Sequence, residues 1–313
     1  MNMVEKLTRT DAEMYCPIPP AEQGIPTVEA EYFFQVTETQ ALHMEGLCFD
    51  RERNLFFVGI TEGRVYKLNM KTKELSVIAK FEGIKPTAVK IHKDGRLFVC
   101  FVGVSRGGGI IVMDPDGSNQ VEIVSDMDVD DLVFDEKGGF YFTYYVGNAY
   151  NPVGGIYYME PDLDSFRCVI DHMAKPNGVA ISKDGKGLWI TETDLGRLVW
   201  APLPGTAGHT TVVYQFGGTV GPDSVSIDGE GNVYVALFRQ GRFMIFNSFG
   251  YPIGQVIMPN RDKGHNLFTT HPMVHPDTNE LYMIASDDYG DEGSWIFKTE
   301  TFAKGNDKAF QFM

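Results

Sequence analysis

The 313-residue chain is short of the features that mark several common protein classes. Its four cysteines, Cys16, Cys48, Cys100 and Cys168, share no CxxC or CxxH spacing, so a zinc ribbon and a disulfide framework are both excluded. Cysteines embedded in apolar runs, such as Cys100 in LFVCFV, read instead as small buried hydrophobes. Basic side chains are scarce: 27 Lys and Arg stand against 42 Asp and Glu, a formal charge of −15. Such a chain lacks the basic field that displaces counterions from phosphate, which argues against nucleic acid and anionic membrane surfaces as partners. No run of about eighteen apolar residues occurs. No basic start followed by an apolar stretch opens the chain either, and a soluble, cytoplasmic protein is expected. Helical periodicity is almost absent, and the GGG at 107–109 precedes neither GK[ST] nor a helix, so it is not a phosphate loop.

What the sequence does contain is a recurring β pattern. Runs such as NLFFVGI, RLFVCFV, GFYFTYY, GLWITET, NVYVALF and ELYMIAS each follow a turn rich in Asp, Gly, Asn or Lys. They recur in a common frame, with an apolar-x-apolar segment before the turn: GLCFDRERNLFF, AVKIHKDGRLFV, DLVFDEKGGFYF, GVAISKDGKGLWI, SVSIDGEGNVYV and, more loosely, PMVHPDTNELYMI. A third strand follows each strong run, and a fourth follows in most frames. Four antiparallel strands repeated six times predict an all-β, six-bladed β-propeller. The last frame has no room for a fourth strand, and a lone strand near 31–38 precedes the first, so that strand is expected to join the last blade and close the ring. Two stacked β-domains are the alternative, but no linker divides the chain. The expected organisation is an irregular arm over residues 1–25 and one propeller domain over 26–313.

In a propeller the entry residues of each first strand point toward the central axis. Counting five residues back from the turn residues Asp50, His92, Asp135, Ser182, Asp228 and Pro276 selects Glu45, Thr87, Asp130, Asn177, Asp223 and His271, spaced by 42, 43, 47, 46 and 48 residues. Three carboxylates converging on one axis repel strongly unless a cation neutralises them or they take up protons. Oxygen donors of mixed charge without cysteine suit Ca²⁺ better than zinc or the tighter octahedron of Mg²⁺. Glu45, Asp130, Asn177 and Asp223 are therefore the expected ligands, with Ser224 able to add a carbonyl or hydroxyl. Asp131 should face away by strand alternation and act structurally.

These motifs carry a resemblance. MEGLCFD, DDLVFDEKGGFYFT, NPVGGIYYMEPD, PNGVAIS, LWITET, GPDSVSID and GYPIGQVIMPNRDKGH, in this order, resemble the calcium-dependent lactonases of the gluconolactonase, regucalcin and senescence-marker-protein type, and most of all the drug-responsive lactonases. The resemblance covers nearly the whole chain. It implies a metal held by Glu45, Asp130, Asn177, Asp223 and Ser224, with Asp223 also in catalysis, and a small lactone as substrate. It departs over 103–130, where the drug-responsive enzymes hold a second calcium, so one central ion is expected. Tyr144 also stands where the family pattern has an acid.

For such a site the expected reaction is metal-assisted hydrolysis of a lactone, with Asp223 moving the proton or attacking directly and His271 placing water or Asp223. Thr87 is expected to bond a metal-bound water. Met44, Tyr144, Tyr145, Thr191, Glu192, Phe238 and Arg239 are the expected pocket walls, with His265 and His43 as weaker candidates. Phosphotriester or fluorophosphate hydrolysis at the same ion, and a non-hydrolytic synthase or binding scaffold on the same fold, are the competing functions.

Overall fold

The computed structural model describes residues 16–203, 210–218, 220–288 and 290–306; the first fifteen residues of the expected arm lie outside it. No α-helix occurs among the described residues, and the strands form six separate sheets. Two strands come first, β1 (Thr27–Glu29) and β2 (Glu31–Thr37). Blade 1 is β3 (Met44–Phe49), β4 (Leu55–Gly59), β5 (Arg64–Leu68) and β6 (Leu75–Lys80). Blade 2 is β7 (Ile84–Ile91), β8 (Leu97–Gly103), β9 (Gly109–Met113) and β10 (Val121–Ser125). Blade 3 is β11 (Val129–Phe134), β12 (Phe140–Tyr144), β13 (Gly154–Met159) and β14 (Phe166–Met173). Blade 4 is β15 (Pro176–Ile181), β16 (Gly187–Glu192), β17 (Arg197–Pro202) and β18 (Thr211–Gln215). Blade 5 is β19 (Pro222–Ile227), β20 (Val233–Leu237), β21 (Arg242–Phe246) and β22 (Pro252–Ile257); blade 6 is β23 (Phe268–Val274), β24 (Glu280–Ser286) and β25 (Ser294–Glu300).

Blade 6 takes its outer strand from the other end of the chain: β2 pairs antiparallel with β25, Glu31 opposite Lys298. This joins the ring's two ends and covers a sheet edge. The short β1 adds a feature that the repeat frame does not contain, a fifth strand running parallel to β22 on blade 5. The segment before it is anchored by Glu22, whose carboxylate meets the fully buried Arg242 guanidinium at 2.6 Å and accepts from Tyr214.

Burial follows strand position. The inner strands β3 and β15 are buried at every residue, while the outer β6 and β18 expose about every other side chain. Between blades the core is built from interdigitated apolar residues. Phe98, Phe134 and Phe140 pack edge-to-face with centroids 5.0–5.6 Å apart, joining blade 2 to blade 3.

One irregularity is common to all six blades. The first strand of each slips register against the second, between Glu45 and Cys48, Pro86 and Ala88, Val129 and Leu132, Pro176 and Val179, Pro222 and Val225, and Thr269 and Pro272. A bulge of this kind re-aims side chains and leaves backbone N–H groups without ladder partners. Two threonines answer that need: Thr143 accepts from Asp131 N at 3.0 Å, and Thr191 accepts from Gly178 N at 2.8 Å. At Gly46 the bulge also needs a left-handed backbone, φ 67°, and a Cβ there would sit 2.5 Å from Ala88 Cα in the next blade. Gly46→Ala is therefore expected to destabilise the protein by about 1–3 kcal/mol, read as a lower denaturant midpoint.

Candidate metal centre on the ring axis

The turn that closes each first hairpin fixes the register of the ring. Its backbone bond runs from Asp50 N to Asn54 O, His92 N to Arg96 O, Asp135 N to Gly139 O, Ser182 N to Gly187 O, Asp228 N to Asn232 O and His275 N to Glu280 O. In blade 6 the donor is His275, not Pro276, since proline has no N–H to give. The sixth ring residue is therefore Thr270, and His271 lies one residue deeper, equivalent to Gly46, Ala88, Asp131, Gly178 and Ser224. This corrects the sequence-based placement of His271.

Glu45, Asp130, Asn177 and Asp223 are between 3% and 7% exposed. Burial comes first in raising all three carboxylates. For Glu45 the neighbouring charges of Asp223, Asp130 and Asp131 add to it, and for Asp130 those of Asp223 and Asp131 do. Asp223 is pushed up to about 7, burial outweighing the Asn177 amide beside it. Ser224 Oγ lies 3.4 Å from Glu45 Oε2, and Asn177 Oδ1 is buried with no hydrogen-bond partner. An orphaned amide oxygen beside three mutually repelling carboxylates is a donor set that a hard cation would satisfy.

The other ring positions are occupied by backbone ties. Thr87 Oγ1 donates to Val129 O at 2.8 Å and Thr270 Oγ1 to Met44 O at 2.6 Å. Each threonine thus fastens its blade to the next, and the Thr87 proton is not free for a bound water.

Beneath the ring stand three polar side chains on the inner strands. Lys90 Nζ pairs with Asp131 Oδ1 at 3.0 Å and lies 3.5 Å from His271 Nε2, while His271 Nδ1 is 4.0 Å from Glu45 Oε2. Burial, and then the Lys90 charge, push His271 well below the usual imidazole range. His271 Nδ1 makes no hydrogen bond to Glu45. Lys90 was missed in the repeat frame; its signal is a lysine at the otherwise small or apolar third position after the ring residue.

The expected pocket walls separate into two groups. The half-buried Tyr145 faces the ring: its hydroxyl pKa is raised by burial and then by Asp130, Asp223 and Glu45, with Asn177 opposing. Phe238 packs edge-on against Phe268 at 5.1 Å and near His43 at 6.5 Å, and the Arg239 guanidinium covers Phe268 at 5.3 Å. His43 Nε2 is hydrogen-bonded to the Asp288 carboxylate, a partner that the sequence pattern did not indicate. Tyr144 leans edge-on against Tyr157 in its own blade.

Glu192 and Thr191 leave the pocket altogether. Glu192 is fully buried, with Oε1 accepting from Ala174 N at 2.7 Å and Oε2 from Arg197 Nε at 2.6 Å, so both oxygens are spent on structure. Thr191 donates to the Asp223 carbonyl and so positions that residue's backbone. Met44 is buried in the blade 1 core. A second group, His265, Asp287 and Asp291, brings three ligand-type atoms within 4.8 Å of one another, but shares no residue with the ring. His265 there already bonds Asp287 at 2.8 Å.

Six blades around a buried acidic ring define a β-propeller suited to holding a cation on its axis. The chain belongs to the family described as SMP-30/gluconolactonase/LRE-like, whose profile matches residues 43–287. It is 45% identical over 307 residues to Lactonase drp35 of Staphylococcus saprophyticus, covering 95% of this chain and 94% of that one. To Lactonase drp35 of Staphylococcus haemolyticus it is 43% identical over 320 residues, covering 98% of each. Among solved structures it resembles a calcium-binding protein, regucalcin, from Agrobacterium tumefaciens, with a TM-score of 0.72, 18% identity, and 90% and 98% of the two chains covered. A gluconolactonase from Xanthomonas campestris gives a TM-score of 0.65 at 17% identity, with the same coverage. At such identities these two structures establish the fold alone.

The ring makes stability depend on pH in a defined sense. A carboxyl whose folded pKa lies above its unfolded value stabilises the fold at low pH and loses that contribution as pH rises through the folded value. For Asp223 the window runs from its ordinary 3.8 to about 7. Chelator-treated protein is expected to lose melting temperature across that window, and added Ca²⁺ to restore it most at the upper end. A chelated protein whose melting temperature rises across the window would contradict this account. Glu192→Ala is expected to lower the melting temperature and leave substrate KM unchanged.

Proposed function

We propose that this protein is a calcium-dependent lactonase that opens the ring of a small lactone by adding water at the carbonyl carbon. The observation that carries this reading is the set of buried Glu45, Asp130 and Asp223 carboxylates around the unpartnered Asn177 Oδ1. Two relatives above 40% identity that bear the name lactonase support it. Glu45, Asp130, Asn177 and Asp223 would hold the ion, with Ser224 beside Glu45. When bound, the ion supplies positive charge against the oxygen that becomes anionic on attack.

The chain's own residues account for the remaining requirements. Asp223 accepts the proton of the attacking water and returns it to the ring oxygen as the C–O bond breaks, so that oxygen leaves as an alcohol, one water is consumed and a hydroxy acid formed. Direct attack by Asp223 is the competing route, since the same carboxylate faces the same carbon. Thr191 fixes the Asp223 carbonyl, which limits the freedom of the side chain that must be aimed. Tyr145 borders the acidic ring, and the Phe238, Phe268 and Arg239 stack forms an apolar wall with a cationic cap. A neutral ring with one polar edge matches such a lining, as it matches the acidic field of the whole chain.

Asp223→Asn is expected to lower kcat on a γ- or δ-lactone panel at least about a thousandfold while leaving the fold intact by circular dichroism. Wild-type activity should vanish with EDTA and return with Ca²⁺. A folded Asp223→Asn enzyme with undiminished turnover would remove Asp223 from the chemistry, and purified protein without stoichiometric metal would remove the ion.

A further inference from the structure

Above the carboxylate ring, one polar side chain interrupts the aromatic wall. His43 lies two residues before Glu45, and Ile60 N donates to His43 O at 2.8 Å, so the extended strand runs back through it. Alternation then sets its side chain on the same side as Glu45. Its ring lies nearly parallel to that of Phe268, with 17° between the planes and 5.6 Å between centroids, and Phe238 stands edge-on at 6.5 Å. Phe268 opens β23 two residues before Thr270, so the two stacked rings hold the same place in adjacent blades.

The imidazole is aimed by a chain of hydrogen bonds. Nε2 bonds one oxygen of the Asp288 carboxylate, whose other oxygen accepts from Ser286 Oγ at 2.8 Å. Ser286 ends β24, so the chain is rooted in blade 6. An ionised carboxylate only accepts, which assigns the hydrogen to Nε2 and leaves Nδ1 with a lone pair. The two ring nitrogens face nearly opposite ways, so Nδ1 is turned away from Asp288. Among the described residues Nδ1 takes no hydrogen bond, and the side chain is 38% exposed. Asp223 stands within electrostatic reach: burial raises that carboxyl most, and the His43 charge draws it back.

We infer that His43, aimed by Asp288, is the second acceptor for the attacking water and clamps it together with Asp223. The inference rests on the lactonase reading above. A water that attacks a carbonyl carbon turns a lone pair to that carbon and both hydrogens away from it. One acceptor leaves the molecule free to rotate, and two fix it. Asp223 takes the hydrogen that is transferred, while the hydrogen facing His43 stays on the oxygen and ends in the carboxyl group of the product. Asp288 does not touch the water; it is a positioning residue that holds the imidazole in one tautomer and one direction.

Two substitutions separate this role from packing. His43→Phe keeps the aromatic stack and removes the acceptor, whereas His43→Asn gives up the stack and sets an amide oxygen near the position of Nδ1. His43→Phe is expected to lower kcat on a δ-lactone about tenfold to a hundredfold, with KM within about threefold and melting temperature little changed, and His43→Asn to recover most of that loss. Full kcat in folded His43→Phe overturns the clamp, and so does the reverse order, with His43→Asn the slower. Two readouts need no turnover. Nitrogen NMR of isotope-labelled protein is expected to find the His43 hydrogen on Nε2, and to find it on Nδ1 in Asp288→Asn, whose amide can donate to Nε2. A wild-type hydrogen on Nδ1 overturns the clamp, and a hydrogen that stays on Nε2 in Asp288→Asn removes the part given to Asp288. A high-resolution crystal structure of the Ca²⁺-loaded protein is expected to hold an ordered water bonded to both His43 Nδ1 and the Asp223 carboxylate; a structure without one overturns the clamp. Wild-type protein that hydrolyses no lactone faults the functional reading instead, and the spectrum and the crystal structure still decide the clamp.

Discussion

Three carboxylates from three blades face one another on the axis of a closed ring, and the surrounding structure is arranged around that repulsion. Glu45, Asp130 and Asp223 are buried, and Asp131 adds a fourth acid close by. In a low-dielectric interior such a group cannot remain fully ionised without positive charge, which is why all three ring acids are pushed upward. Lys90 supplies a fixed cation to Asp131 from below. Among the described residues the acids at ring level have no such fixed cation, and that deficit is what the proposed metal would meet.

The fold places the deficit on the axis through one repeated backbone device. The bulge in every first strand turns the ring residue inward, and glycine, threonine and proline around it absorb the backbone cost. Gly46 and Gly178 let neighbouring inner strands approach so closely that an added Cβ would meet backbone at about the same place in both. Thr87 and Thr270 bond across blade boundaries, so the two ring positions without a ligand-type side chain hold the ring together. Ligand geometry and blade packing are therefore set by the same residues, and a change at one is felt at the other.

Much of this was legible in the linear pattern, and the errors have physical causes. Five ring positions follow from counting back from turn residues, because one blade is one repeat and each repeat has one first-hairpin turn. The sixth position differs by one from the count, because Pro276 lies in the turn but only His275, which has an N–H, closes it. The consequence was to credit His271 with a place at the mouth that belongs to Thr270. Glu192 was misread for a different reason. Its position at the end of a second strand is correct for a wall, but nothing in LWITET indicates that Ala174 N and Arg197 will occupy both its oxygens.

Sequence alone determined the number of blades, the all-β class and the identity of the acids in register, because hydrophobic alternation and turn chemistry are local and repeat with the fold. It also determined the excess of acid, 42 Asp and Glu against 27 Lys and Arg. Tertiary structure decided which polar side chains face each other. Lys90 and Asp131 are 41 residues apart, His43 and Asp288 are 245 apart, and Glu22 and Arg242 are 220 apart. Such pairings depend on how a closed ring brings distant strands to one axis or one face, and no local pattern encodes that distance.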